Sequence, residues 1–305
     1  MSKRLIVTVV GYDRPGIVAG ITSAVAEMNG NITSIKASTL SELFVMNMIV
    51  DISKISGTED EFVKKLKERA LQIGVGIAIE DEEEIPKAKK LIAFDMDGTI
   101  LEVEAIDEIA KHANVQSEVA ELTRRAMHGE IDFSTALRER VKLLKGLPVK
   151  VIEDVAERLP ISKGAREVIE TLKNMGFITV LITGGFDIVA KKIAEKLGFD
   201  YWFANRLGVE DGKLNGKVEV IVSGGEAKLK ILEEVARAHG IDLEECIAVG
   251  DGANDLLVLE NVGLGIGFRP KPIVQQRVKA LINMDDMRAI LALIARGRPK
   301  EDEKG

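Results

Sequence analysis

The chain has 305 residues, 46% hydrophobic and 30% charged, with a formal net charge of −7 at pH 7. That length holds about two domains; the composition excludes wholesale disorder and the acidic balance argues against a nucleic-acid binder, which carries a basic stripe. With a single cysteine, Cys246, no signal-peptide pattern in MSKRLIVTVVGYDRPG and no apolar run of about 18 residues, the chain is expected to be cytoplasmic, without an intrachain disulfide, a Cys-based zinc site or a membrane helix.

Leu5 to Val10 is a β-rich run, closed by Gly11-Tyr12-Asp13-Arg14-Pro15-Gly16. Pro15 suits a helix start, because its missing N–H would be unpaired there. Ile17, Ile21, Ala24, Val25 and Met28 then recur at helical spacing until Gly30. Asn31–Thr39 reads as a strand, and Phe44, Met46, Met48, Val50 and Ile52 alternate as one with a single buried face. Phe62, Val63, Leu66, Ala70 and Ile73 form a second helical stripe, and Val75, Ile77 and Ile79 a last strand. The order is βαββαβ, a ferredoxin-like sandwich over residues 1–80. Residues 81–90, charged and nearly without apolar content, read as a linker.

Leu91–Phe94 is short and apolar, as a buried parallel strand is. Residues 104–158 are helical in pattern. From Gly164 onward β and α alternate: helix 165–175, strand Phe177–Ile182, helix 186–197, a hairpin turned at Asp211-Gly212, helix 226–238, strand Cys246–Val249 and strand Gly263–Phe268. Residues 272–280 and 286–296 are amphipathic. This describes an α/β fold over residues 91–298, a doubly wound parallel (Rossmann-like) sheet with a helical insertion at approximately 104–160. Gly263-Leu264-Gly265-Ile266-Gly267 has the wrong spacing for a dinucleotide fingerprint and reads as a Gly-rich strand.

Ligands of such sheets sit at the carboxyl ends of the strands. Asp95 and Asp97 fall at one such end, Thr183 before Gly184-Gly185 at another, and Asp251, Asn254 and Asp255 at a third, while Lys228 lies on the helix after the hairpin. Taken singly, Asp97-Gly98 is an ordinary turn and Lys228 a solvated lysine. Carboxylates drawn together repel unless a cation joins them, and oxygen ligands suit Mg²⁺. A lysine and a hydroxyl beside that cation are what a transferring phosphoryl group needs.

Asp95-Met96-Asp97-Gly98-Thr99, Thr183-Gly184-Gly185, Lys228 and Gly250-Asp251-Gly252-Ala253-Asn254-Asp255 resemble, in order and type, the four motifs of the haloacid-dehalogenase-like phosphatases, and the helical insertion matches their cap. Within them, residues 91–298 are similar to the phosphoserine phosphatases. The resemblance implies Mg²⁺-dependent hydrolysis of O-phospho-L-serine, the last step of serine biosynthesis, through an aspartyl phosphate. It implies Asp95 as nucleophile and Asp97 as general acid and base. Asp95, Asp251 and the main-chain carbonyl of Asp97 would hold the metal, with Asp255 behind them. Thr183, Gly184, Lys228 and Asn254 would receive the phosphate. It maps Glu104 to the substrate ammonium and Arg140 to its carboxylate, with Met127 and Phe133 closing the pocket. Other readings remain: action on another small phosphate such as phosphohomoserine or phosphothreonine, or an amino-acid-responsive regulator with an inactive core.

Residues 1–80 resemble an ACT domain on the Gly11–Gly16 loop and Asn29-Gly30-Asn31-Ile32. That resemblance implies a homodimer and, as a regulatory ligand, serine, with its carboxylate at the first helix start and Asp13 or Asn31 on its amino group.

Overall fold

The structure, a computed structural model, describes residues 3–40, 42–83, 89–127 and 130–294. The chain begins β1 (Arg4–Tyr12), α1 (Ile17–Glu27), β2 (Asn31–Leu40), β3 (Leu43–Asp51), α2 (Glu59–Gln72) and β4 (Gly76–Asp81). The βαββαβ order is as read from the sequence. Helix α1 starts two residues after Pro15, with Gly16 as its N-cap at φ 96°. Thr58 and Glu61 cap α2 reciprocally: the Glu61 N–H donates to Thr58 Oγ1 (3.3 Å) and the Thr58 N–H to Glu61 Oε2 (2.7 Å). Phe62, Leu66 and Ala70 of α2 are buried against Met46, Met48 and Val50 of β3, among others. Of the 81–90 linker, residues 84–88 lie outside those described.

The chain continues through β5 (Leu91–Phe94), α3 (Ala105–Ala113), α4 (Gln116–Met127), α5 (Phe133–Leu143), α6 (Val149–Arg158), α7 (Ala165–Asn174), β6 (Ile178–Phe186) and α8 (Asp187–Leu197). It closes with β7 (Tyr201–Glu210), β8 (Lys213–Glu219), α9 (Gly225–Ala238), β9 (Cys246–Gly250), α10 (Leu256–Asn261), β10 (Leu264–Phe268), α11 (Pro272–Arg277), β11 (Ala280–Ile282) and α12 (Ala289–Ile294). Strand β6 runs through Thr183-Gly184-Gly185, further than the apolar run alone suggests. Asp211 and Gly212 both take positive φ, 50° and 72°, as a tight hairpin turn requires.

All strands join one eleven-stranded sheet, β2-β3-β1-β4-β11-β10-β9-β5-β6-β7-β8. From β11 to β7 the pairing is parallel; β7–β8 and the N-terminal strands are antiparallel. β5 is central, with β6 on one side and β9 on the other, so the chain reverses direction across the sheet at the carboxyl end of β5. The seam between the N-terminal module and the rest is itself strand pairing, β4 antiparallel to β11 through Ala78↔Ala280 and Ile77↔Leu281. Within the amphipathic stretch 272–280, α11 stops at Arg277, and from Ala280 the chain enters strand β11. The apolar core crosses the seam, linking Val7, Ile77 and Leu281 to Leu91 and Ala248. Lys67 of α2 adds a hydrogen bond to the Gln275 carbonyl (3.3 Å). Among the described residues no helix is long and apolar enough to cross a membrane.

Candidate active site

Strand ends bring the polar residues together. Asp95 follows β5, and its N–H donates to the Val249 carbonyl of β9 (2.9 Å). Lys228, in the first turn of α9, reaches between two carboxylates, 2.6 Å from Asp95 Oδ1 and 2.7 Å from Asp255 Oδ1; all three side chains are only 4–6% exposed. Asp255 also accepts the Gly252 N–H (3.1 Å). Carboxylate oxygens of Asp95, Asp251 and Asp255 lie within 4.8 Å of one another. Asp97 accepts the Ala105 N–H at Oδ1 (2.7 Å) and the Thr183 hydroxyl at Oδ2 (3.3 Å).

Two glycines permit this crowding. Gly98 has φ 74°, and a Cβ there would lie 2.6 Å from Asp251 Oδ2. At Gly185 a Cβ would lie 2.9 Å from Asp97 Oδ2.

Burial pushes the Asp95 carboxyl well above the usual range, and the neighbouring Asp255 charge adds to this against the pull of Lys228. Burial also raises Asp97, opposed by the Ala105 N–H and the Thr183 hydroxyl, and raises Asp251, opposed by Lys271. Burial alone would lower Lys228, but Asp255 and Asp95 outweigh it, so the ammonium stays charged. Two ammoniums, Lys228 and Lys271, cannot balance the four carboxylates Asp95, Asp97, Asp251 and Asp255. Their all-oxygen donor set fits a hard divalent cation, which would relieve that excess.

Glu104, Phe133, Arg140, Thr183, Gly184 and Asn254 line one pocket with Asp95, Asp97 and Asp251. Lys228 and Asp255 do not line this pocket; they border a second, smaller cavity that Asp95 also lines. Phe133 closes against Gly184: a Cβ there would lie 2.9 Å from its ring. Arg140 is half-buried on α5, tied to the Ala136 carbonyl (3.3 Å) and Thr123 Oγ1 (3.5 Å). The side chain of Met127 lies outside the described residues. Glu104 stands on the pocket wall, where burial first, then the Asp97 and Asp251 charges, push its carboxyl up to about 7. Sequence reasoning missed Lys271, which lines the same pocket and pairs with Asp251 Oδ2 at 3.1 Å. Its signal is positional: it follows the carboxyl end of β10, the next parallel strand.

The residues assigned to an amino-acid site in the N-terminal module do not converge. Asn31 is paired with Asp51, which also faces Arg4 at the start of β1; Asp13 follows Tyr12 at the other end of β1. Only Asp13 lies on the side where α1 begins, so Asn31 is removed from that site.

A haloacid dehalogenase-like hydrolase profile matches residues 89–263, and an ACT domain profile residues 3–80. A phosphoserine phosphatase of Archaeoglobus fulgidus is 40% identical over 298 residues, 97% of this chain and 86% of the relative. A HAD family hydrolase from Salmonella enterica serovar Typhi superposes at TM-score 0.83 with 27% identity, covering 98% of this chain and 99% of the other. A substrate-bound phosphoserine phosphatase superposes at TM-score 0.64 with 48% identity, covering 68% of this chain and 99% of the other. The chain belongs to the haloacid dehalogenase-like hydrolase family and carries an ACT domain at its N-terminal end.

Proposed function

We propose that the chain hydrolyses O-phospho-L-serine to L-serine and phosphate, as the closing step of serine synthesis. The observation that carries this is one pocket holding both a phosphoryl-transfer set and an acid–base pair, Glu104 and Arg140, suited to an ammonium and a carboxylate. The names of the relatives support the same substrate. In this reading residues 91–298 are the phosphatase domain, 104–160 its cap, 81–90 the linker and 1–80 the ACT domain.

The Asp95 carboxylate attacks phosphorus and forms an aspartyl phosphate, while Asp97 gives its proton to the departing serine oxygen. The raised Asp97 carboxyl favours holding that proton. Asp97 then takes a proton from the water that attacks the phosphoaspartate, which releases phosphate and restores Asp95. Thr183, the Gly184 N–H, Asn254 and Lys228 receive the phosphoryl oxygens. Asp95, Asp251 and the Asp97 carbonyl would hold Mg²⁺, with Asp255 and Lys228 fixing them from behind. The ion supplies charge neutralisation for the transferring group.

Phosphate release from L-phosphoserine, with Mg²⁺ or EDTA, and with phosphothreonine and p-nitrophenyl phosphate in parallel, tests the reading. The expected result is metal-dependent release strongest on phosphoserine; activity on p-nitrophenyl phosphate alone would move the substrate elsewhere. Arg140→Ala is expected to raise KM for phosphoserine by about tenfold or more, the worth of a charge-assisted hydrogen bond, and to spare p-nitrophenyl phosphate. Glu104 carries its negative charge above about pH 7 and loses it as pH falls through that value. KM for phosphoserine should therefore rise on acidification below about 7, and Glu104→Gln should flatten that slope at a uniformly high KM. A slope that persists in Glu104→Gln would remove Glu104 from ammonium recognition.

The ACT domain binds serine on the Asp13 side and pairs two chains into a homodimer in the cytoplasm. Because β11 occupies the β4 edge, pairing through the sheet would use β2. Sedimentation and serine titration of the full chain test both points: a monomer that releases no heat with serine would exclude them.

A further inference from the structure

The helical insertion leaves and returns to the core through one pair of chains. Leu101 bridges Ile161, and the Glu102 N–H donates to the Pro160 carbonyl (3.0 Å). Directly after the return, Ser162 grips the loop that carries Asp97. Its N–H donates to the Ile100 carbonyl (2.9 Å) and its hydroxyl to the Thr99 carbonyl (2.6 Å). Arg269 donates to the Gly98 carbonyl (3.1 Å) and to Ser162 Oγ (2.9 Å). Three successive carbonyls beside Asp97 are thus held by Ser162 and Arg269, neither of which lines the pocket.

The next residue, Lys163, reaches across the seam to the ACT domain. Its ammonium donates to the Tyr12 hydroxyl (2.8 Å), which donates to Asp286 Oδ2 (2.9 Å). Asp286 is fully buried and also receives the Arg288 guanidinium (2.9 and 2.6 Å) and the Arg288 N–H (3.1 Å). The Met287 N–H returns to the Lys163 carbonyl (2.8 Å). Gly164 is pressed on this cluster: a Cβ there, at φ 80°, would lie 2.9 Å from Asp286 Oδ1. A buried carboxylate surrounded by donors has little freedom, because each lost donor exposes an unsatisfied charge. One of those donors comes from the other domain.

We propose that Tyr12 is a positioning residue for the phosphatase centre. Its hydroxyl fixes Lys163 and Asp286, and through Ser162 the carbonyls of Gly98, Thr99 and Ile100. The ACT loop then sets how firmly Asp97 and its neighbours are held. This rests on the phosphatase reading for its kinetic effect, though the mechanical link does not.

Tyr12→Phe in the full chain removes only the hydroxyl, and the residue is already 37% exposed. We expect kcat to fall about fivefold at unchanged KM, on phosphoserine and p-nitrophenyl phosphate alike, because misplacement of a catalytic loop costs rate rather than binding. Ser162→Ala should lower kcat as well, and Tyr12→Phe should add little on top of it, since both act along one path. Hydrogen exchange at amides 97–101 should quicken in Tyr12→Phe, with the β7–β8 hairpin unchanged. Unchanged kcat in an active protein, fully additive effects, or unchanged exchange at 97–101 would overturn the proposal. A wild-type protein that releases no phosphate from any substrate would fail the functional reading alone, and the exchange result would then decide the link.

Discussion

Asp95→Asn is expected to lower phosphate release by at least about a thousandfold, because an amide oxygen cannot form the covalent intermediate that divides the reaction. The same substitution should raise the melting temperature of the metal-stripped protein. In the wild type burial and the Asp255 charge work against an ionised Asp95, and Lys228 is the main group that favours it. An amide keeps an acceptor for Lys228 at Asp95 Oδ1, where the bond is 2.6 Å, and removes one negative charge from a group of three. A chain of 305 residues shifts by about 1.5–2 °C per kcal/mol, so the gain is readable by calorimetry in EDTA. Loss of activity with a gain in stability is the pattern of a residue retained for function against its folding cost. An Asp95→Asn protein retaining a tenth of the wild-type rate would end its candidacy as nucleophile.

Lys228→Met should do the opposite to stability. The ammonium sits 2.6 Å from Asp95 and 2.7 Å from Asp255, with all three side chains almost wholly buried. Removing one member of a buried ion cluster leaves uncompensated charge and typically costs about 3–5 kcal/mol. The methionine fills the space, so the loss reports charge rather than a cavity. Urea unfolding in EDTA should show the full cost. Added Mg²⁺ should recover part of it, since a cation would neutralise the same carboxylates. Phosphate release should also collapse, because the phosphoryl oxygens lose a cation. Equal stability of wild type and Lys228→Met in EDTA would show that the cluster does not depend on that ammonium.

The two variants rest on a site that local sequence already exposed. Asp95 ends an apolar run, Thr183 precedes paired glycines and Asp251 follows Val249-Gly250, so a strand-end rule finds each of them. Glu104 and Arg140 required the resemblance, because an acid near a helix start and an arginine on a helix face look like surface residues. Lys271 follows a strand end too, but it stands alone, without a neighbouring motif. Strand β11 is three residues long, too short for a period of two to be told from the tail of a helix. Asn31 and Asp13 look like partners because each flanks α1, yet a helix separates its two ends, and strand register then sends them to opposite ends of the sheet. Tyr12 and Asp286 are 274 positions apart, and no local periodicity encodes such a pairing.

The pairing of β4 with β11 makes the two domains poor candidates for separation. A fragment ending near residue 83 would present β4 as a raw edge, with Ile77, Ala78 and Ile79 stripped of cover. The complementary piece would present β11 in the same way. Each half would be a template for the other, or for a second copy of itself. A chain cut between the domains would then remain one particle, melting once, with strand hydrogen bonds doing the work of the missing peptide bond.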